Sequence, residues 1–174
     1  MRLFYAFLPD ALTRKRLVSA AAQLHLTGRA RLVAPSSFHI TVAFVGQAAD
    51  SDLHIFHEMG TSTSLRRRAI DLDVFEYWPQ SQAVVLAACK NPIDLATQTD
   101  QLRSAVAAQA HPSRDDKPWR AHVTLARKVA QAPVLTAKSP ITWVSHSFCL
   151  MSSKTIGSES VYTVVDSWPL LDKP

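Results

Sequence analysis

The sequence predicts an α+β fold built mainly on antiparallel strands, and three observations carry that expectation. Strand-like segments outnumber helical ones, turn-forming tetrapeptides separate neighbouring strands, and one short strand motif occurs twice, as in chains with an internal duplication. The 174 residues are enough for a core without staples, and no Pro/Gly/Ser-rich linker divides them. The expected organisation is therefore one domain over residues 1–174.

The elements follow in order. Leu3–Leu8 is an apolar run closed by Pro9 and Asp10, too short for a signal peptide, and reads as a first strand. Asp10 then caps a helix over Ala11–Leu24. Arg31–Val33 and His39–Val45 read as strands, and Asp50 precedes a second helix over roughly Ser51–Met59. Ala69–Tyr77 and Ala83–Ala88 flank the turn signal Trp78-Pro79-Gln80-Ser81 and form an expected hairpin. Asn91 at the N-cap and Pro92 at the first helical position open the clearest helix, which runs to Ala110. Its Ile93, Leu95 or Ala96, Leu102, Val106 and Ala110 recur at helical spacing. His122–Lys128, Ser145–Ser152 and Val161–Val165 complete the strands, with a second turn signal over Thr155–Ser158.

Composition narrows the function classes. With 47% hydrophobic and 19% charged residues and no apolar run long enough to span a bilayer, the expectation is a soluble, cytoplasmic, monomeric chain. Cys89 and Cys149 lie far apart with no Cys/His cluster around them, so they read as free thiols and not as metal ligands. A formal net charge of +5 suits a polyanionic partner such as nucleic acid, although the dense run Arg66-Arg67-Arg68 follows a Ser/Thr-rich loop and reads equally as a solvated face.

The repeated motif carries the chemistry. It reads His39-Ile40-Thr41-Val42-Ala43-Phe44 in its first copy and His122-Val123-Thr124-Leu125-Ala126-Arg127 in its second, both of the form H-x-T-x-A. Residues two apart on a strand share a face, so each copy presents one imidazole and one hydroxyl against an apolar back. One such motif would describe an ordinary structural histidine. Two in matching frames describe a pair that can meet across a cleft if the halves pack about an approximate two-fold axis. In-line displacement at phosphorus needs a base at the attacking water and an acid at the leaving oxygen, which His39 and His122 would supply. Thr41 and Thr124 would donate to the non-bridging phosphate oxygens as charge builds there.

With these motifs the chain resembles the 2H phosphoesterases, and within them the RNA 2′,3′-cyclic phosphodiesterases formerly called 2′-5′ RNA ligases. The resemblance runs nearly end to end. It takes in Arg2-Leu3-Phe4, Val33-Ala34-Pro35 before Phe38-His39, the exit Phe44-Val45-Gly46, Pro118-Trp119-Arg120-Ala121 before His122, and Tyr162 with Trp168-Pro169-Leu170 near the end. The resemblance implies a bilobal fold with pseudo-two-fold symmetry, each lobe giving one H-x-T strand to a central cleft. It also implies catalysis without metal or cofactor and hydrolysis of a terminal 2′,3′-cyclic phosphate to a 2′-phosphate. The implied substrates are RNA ends or cyclic nucleotides, and family members also run the reverse 2′-5′ ligation.

Arg127 stands where the first copy has Phe44, a position at which the subfamily tends to carry arginine. Strict alternation puts it on the core face, so a phosphate-binding role requires the strand to end or twist there; a surface ion pair is the other reading. Arg120 and Lys128 are looser candidates. Tyr162, Phe7 and Trp119 are candidates to stack on the terminal base, with core packing as the alternative. His54 and His57, three apart on an expected helix, lack supporting ligands and read as surface residues, as do His25, His111 and His146 as structural or solvated ones. Two rival functions keep the same cleft: a non-catalytic RNA-end binder, and a 2H enzyme acting on another small cyclic phosphate.

Overall fold

The computed structural model describes residues 1–110, 117–135, 139–156 and 159–172. The strands are β1 (Arg2–Phe7), β2 (Arg31–Leu32), β3 (Ile40–Gln47), β4 (Ala69–Leu72), β5 (Val74–Trp78), β6 (Ala83–Ala87), β7 (His122–Arg127), β8 (Ile141–Val144), β9 (Ser147–Ile156) and β10 (Glu159–Pro169). Helices α1 (Ala11–Ala21), α2 (Leu53–Ser62) and α3 (Ile93–Ala110) interleave them. The fold is α+β, with antiparallel pairing throughout its sheets.

Two four-stranded sheets dominate, one in the order β10-β9-β1-β3 and the other β2-β7-β6-β5, beside a two-stranded ribbon of β4 and β8. The histidine motifs lie one on each large sheet, and they arrive by the same route. β1 leads through α1 to β3 with β1 and β3 paired antiparallel, and β6 leads through α3 to β7 with the same pairing.

The helices form as their capping and periodicity dictate. The Asp10 carboxylate accepts from the Thr13 backbone N–H at 2.6 Å, and α1 buries Thr13, Leu17, Ala20 and Ala21, a single stripe. Helix α3 buries Leu95, Thr99, Leu102 and Val106 and packs on β3 of the opposite sheet, while α1 touches β7 and β8. These crossed dockings merge the back faces of both sheets into one continuous core. It holds Leu3, Tyr5, Ile40 and Val42 from the first sheet together with Leu86, Val123 and Leu125 from the second.

Three expected elements differ. Ala69–Tyr77 is not one strand: Asp73 breaks it, and β4 and β5 join different sheets. The Asp73 carboxylate accepts from the Cys89 backbone N–H at 2.8 Å and its own N–H donates to the Ala87 carbonyl, so the acidic residue anchors the crossover. The segment expected over Ser145–Ser152 is preceded by the unforeseen β8, and β9 begins only at Ser147. Between them the Ser145 hydroxyl accepts from the Trp143 indole at 2.6 Å. Val161–Val165 is the middle of a much longer strand, β10. The hairpin turn at Trp78–Ser81 joins β5 and β6 as expected, whereas Gly157 and Ser158 of the second turn signal, and His111, lie outside the described residues.

Candidate active site

His39 sits at the entry to β3, just after a short 3-10 turn over Pro35–Ser37, and its Nδ1 lies 2.8 Å from the Ser37 carbonyl. His122 opens β7, and its Nδ1 lies 2.9 Å from the Arg120 carbonyl. A carbonyl oxygen only accepts, so in both rings Nδ1 carries the proton and donates. The two imidazoles are therefore held in one tautomer by the same bond to the carbonyl two residues back. Each keeps Nε2 as the nitrogen free to exchange a proton.

The register of the sheets shows which residues share the face of each histidine. In β3, Thr41 faces Ala6 while Ala43 faces Tyr5, so Val42 has no partner. In β7, Thr124 faces Val85 while Ala126 faces Val84, so Leu125 has none. Both motif strands thus carry a β-bulge at the residue after the threonine. The bulge puts two consecutive residues into the core, Val42 with Ala43 and Leu125 with Ala126, all at 2% exposure or less. It then shifts the alternation by one, so that Phe44 and Arg127 return to the histidine faces.

Cross-strand partners confirm the assignment. Thr41 and Phe44 stand opposite Ala6 and Phe4 on one face of β1, while His122, Thr124 and Arg127 stand opposite Ala87, Val85 and Ala83 on one face of β6. Arg127, the last residue of β7, thus returns to the face of His122 and Thr124 by a bulge, and Lys128 just beyond the strand has a φ of 57°. The Arg127 charge acts on both imidazoles and disfavours protonation of each.

Burial dominates the electrostatics. His39 is lowered to about 4, first by removal from water and then by Arg127 and His122, against the hydrogen bond to the Ser37 carbonyl, which raises it. His122 is lowered as well, first by burial and then by Arg120 and Arg127, against the Arg120 carbonyl and the Glu76 carboxylate, which raise it. Both rings therefore favour the neutral form. A phosphate arriving between them would favour protonation instead.

The two faces come together through Trp119. Its indole N–H donates to the Thr41 carbonyl at 2.9 Å, tying the loop before β7 to β3, and its own backbone N–H donates to Asp100 of α3. Trp119 is 6% exposed and Phe7 is 1% exposed within the core, on the face of β1 away from His39, so neither ring offers a surface to a base. Tyr162 is the expected aromatic that does reach the cleft. It meets the His39 ring edge-on at 5.1 Å and the Phe4 ring at 5.5 Å.

Several cleft residues escaped the sequence reading. The Phe4 ring lies 4.9 Å from His39, and the Trp78 ring lies 4.5 Å from His122, although Trp78 had read as the start of a turn. Phe44, 40% exposed, carries the Arg2 guanidinium 5.3 Å above its ring. Once the bulges are known, alternation from Thr41 finds Phe44, and register across the sheets then finds Phe4 opposite Phe44 and Trp78 opposite Ala83. Of the remaining histidines, His57 is bonded to Asp166 and His54 to the Ser51 carbonyl, and among the described residues no three His, Cys, Asp or Glu side chains are grouped to hold a metal ion. No helix among the described residues is long and apolar enough to cross a membrane.

No family model matches the chain. It is 29% identical to the RNA 2′,3′-cyclic phosphodiesterase of Thermus thermophilus, across 98% of this chain and 90% of that protein. It is 25% identical to the RNA 2′,3′-cyclic phosphodiesterase of Escherichia coli, across 97% of this chain and 96% of the other. The crystal structure of E. coli LigT complexed with NADP+ superposes with a TM-score of 0.85 at 25% identity, covering 97% of this chain and 96% of that one.

Proposed function

We propose that this chain, a 2H phosphoesterase of the LigT family, is a phosphodiesterase that hydrolyses terminal 2′,3′-cyclic phosphates on RNA to 2′-phosphates. The observation that carries the reading is the pair of imidazoles, one from each large sheet, each fixed by an Nδ1–H bond to the carbonyl two residues back. Two histidines so matched suit one displacement, in which one Nε2 accepts a proton from the attacking water and the other gives a proton to the departing 3′ oxygen. The water oxygen bonds to phosphorus as the bond from phosphorus to the 3′ oxygen breaks, and the 2′-phosphate remains. Thr41, Thr124 and Arg127 share the faces of these histidines and would hold the non-bridging oxygens through the transition state. Tyr162 would border the terminal nucleoside. None of these roles calls for a metal or a cofactor.

We place RNA ends first among substrates, with cyclic nucleotides as the minimal form, acted on by a cytoplasmic monomer in which residues 1–174 work as one unit. Joining two ends through a 2′-5′ linkage would use the same groups, with the 5′-hydroxyl of a second RNA attacking the cyclic phosphate in place of water and the 3′ oxygen leaving as before. The test is incubation of the purified protein with an oligonucleotide ending in a 2′,3′-cyclic phosphate, in EDTA, with phosphorus NMR to identify the product. A 2′-phosphate formed at undiminished rate is the expected result. A 3′-phosphate would reassign the regiochemistry, and turnover that vanishes on chelation and returns with a divalent metal would reject the acid–base mechanism.

A further inference from the structure

The two histidines share one anchoring bond but not one setting. Around His39 stand Phe4 and Tyr162, and among the described residues the groups that act on its charge are the Ser37 carbonyl, Arg127 and His122, with no carboxylate. His122 has a different neighbour. Trp78 of β5 lies against its ring, and the indole N–H of Trp78 donates to the Glu76 carboxylate at 2.9 Å. Glu76 in turn receives two nitrogens of the Arg120 guanidinium, at 2.8 and 3.0 Å, while the third, Nε, donates to the Ala88 carbonyl at 2.9 Å.

The circuit closes on itself. Arg120 fixes the His122 tautomer with its backbone carbonyl and fixes Glu76 with its side chain, and Glu76 fixes the tryptophan packed on the same imidazole. A guanidinium fork on a carboxylate is directional, so it sets an orientation as well as a charge. Register puts Glu76 and Trp78 on the cleft face of the second sheet, opposite Val85 and Ala83, which in turn stand opposite Thr124 and Arg127.

We propose that Glu76 is a positioning residue for His122: held by Arg120, it seats the Trp78 ring against the imidazole and keeps a fixed negative charge beside it. The proposal rests on the reading of His122 as a catalytic group. Burial pushes the Glu76 carboxyl up, but the hydrogen bonds from Trp78 and Arg120 outweigh it and hold it below its ordinary value, so it is ionised at neutral pH. Its charge favours protonated His122 against burial and the charges of Arg120 and Arg127. His39 lacks this counterweight, which makes the two imidazoles electrostatically unequal inside a geometrically matched pair.

The test measures each imidazole directly. Histidine titrations by 1H–15N NMR are run on the substrate-free wild type, Glu76→Gln and Glu76→Ala, alongside pH–rate profiles on a 2′,3′-cyclic mononucleotide. Glu76→Gln keeps an oxygen for the Trp78 N–H but loses the charge, so the His122 titration and its limb of the rate profile should move to lower pH while those of His39 stay. Glu76→Ala also frees the tryptophan, and kcat should fall by a further factor on the order of ten, with KM little changed. A His122 titration unmoved in Glu76→Gln, or one that moves no more than that of His39, overturns the proposal. A wild type inactive on cyclic phosphates would defeat the function proposed above, and the NMR comparison would still decide this inference.

Discussion

An imidazole whose Nδ1–H is committed to a backbone carbonyl has one nitrogen left for chemistry, and His39 and His122 are each in that state. Removing either should therefore remove half of a coupled proton transfer. His39→Ala and His122→Ala are each expected to lower turnover by roughly 10²- to 10⁴-fold, as for general acid–base groups. The double variant should be little worse than the poorer single one, and each single variant should erase a different limb of a bell-shaped pH–rate profile. Thr41→Ala and Thr124→Ala should cost less, because the proton-transfer groups remain. Burial also links His39 to stability. Its pKa falls from an ordinary 6.5 to about 4 on folding, so the unfolded chain takes up the proton first as the solution is acidified. The stabilising contribution of the neutral ring is complete above about pH 6.5 and is lost as the pH falls towards 4. Urea midpoints at pH 7.5 and 5 should accordingly differ more for the wild type than for His39→Ala.

At the scale of elements, legibility in the sequence depended on whether a signal was local. The Asp10 cap of α1 and the hairpin turn at Trp78 are each written within a few residues, and the structure follows them, as it follows Leu95, Leu102 and Val106 in the stripe of α3, whereas Ile93 of that stripe is 84% exposed. Apolar alternation also read correctly as far as the two threonines. It fails beyond them because a bulge is a property of two strands, fixed by what the neighbour in the sheet offers and invisible in either strand alone. That is why Arg127 posed a difficulty for simple alternation; Phe7 was offered as a cleft residue for a different reason, because β1 is apolar on both faces and its own residues do not say which face turns to the core. The split of Ala69–Tyr77 between two sheets escaped for the same reason as Arg127, since Asp73 acts through its bond to Cys89 across the crossover. Packing between elements can be tested at Gly60 of α2, where an added Cβ would overlap the Trp168 ring of β10. Gly60→Ala should destabilise the fold by about 1–3 kcal/mol in chemical denaturation, and Trp168→Leu in the same chain should recover part of the loss.

At the scale of the whole molecule, the net charge of +5 acts at a distance that no single contact describes. If the basic surface follows the RNA backbone, binding of a longer oligonucleotide should weaken steeply with salt, because each neutralised phosphate releases counterions, while a cyclic mononucleotide should respond far less. Equal salt slopes for the two, measured by titration, would show that the backbone is not engaged. The larger consequence comes from the bond between the Trp119 indole and the Thr41 carbonyl, together with the core that both sheets share. The two jaws share their main interior, so the melting of one should take the other with it. The gap between the imidazoles is gauged once, when the chain folds, and it lasts as long as the core does. Heat should then disarm the enzyme at a single temperature, with residual activity and near-ultraviolet dichroism tracing the same curve.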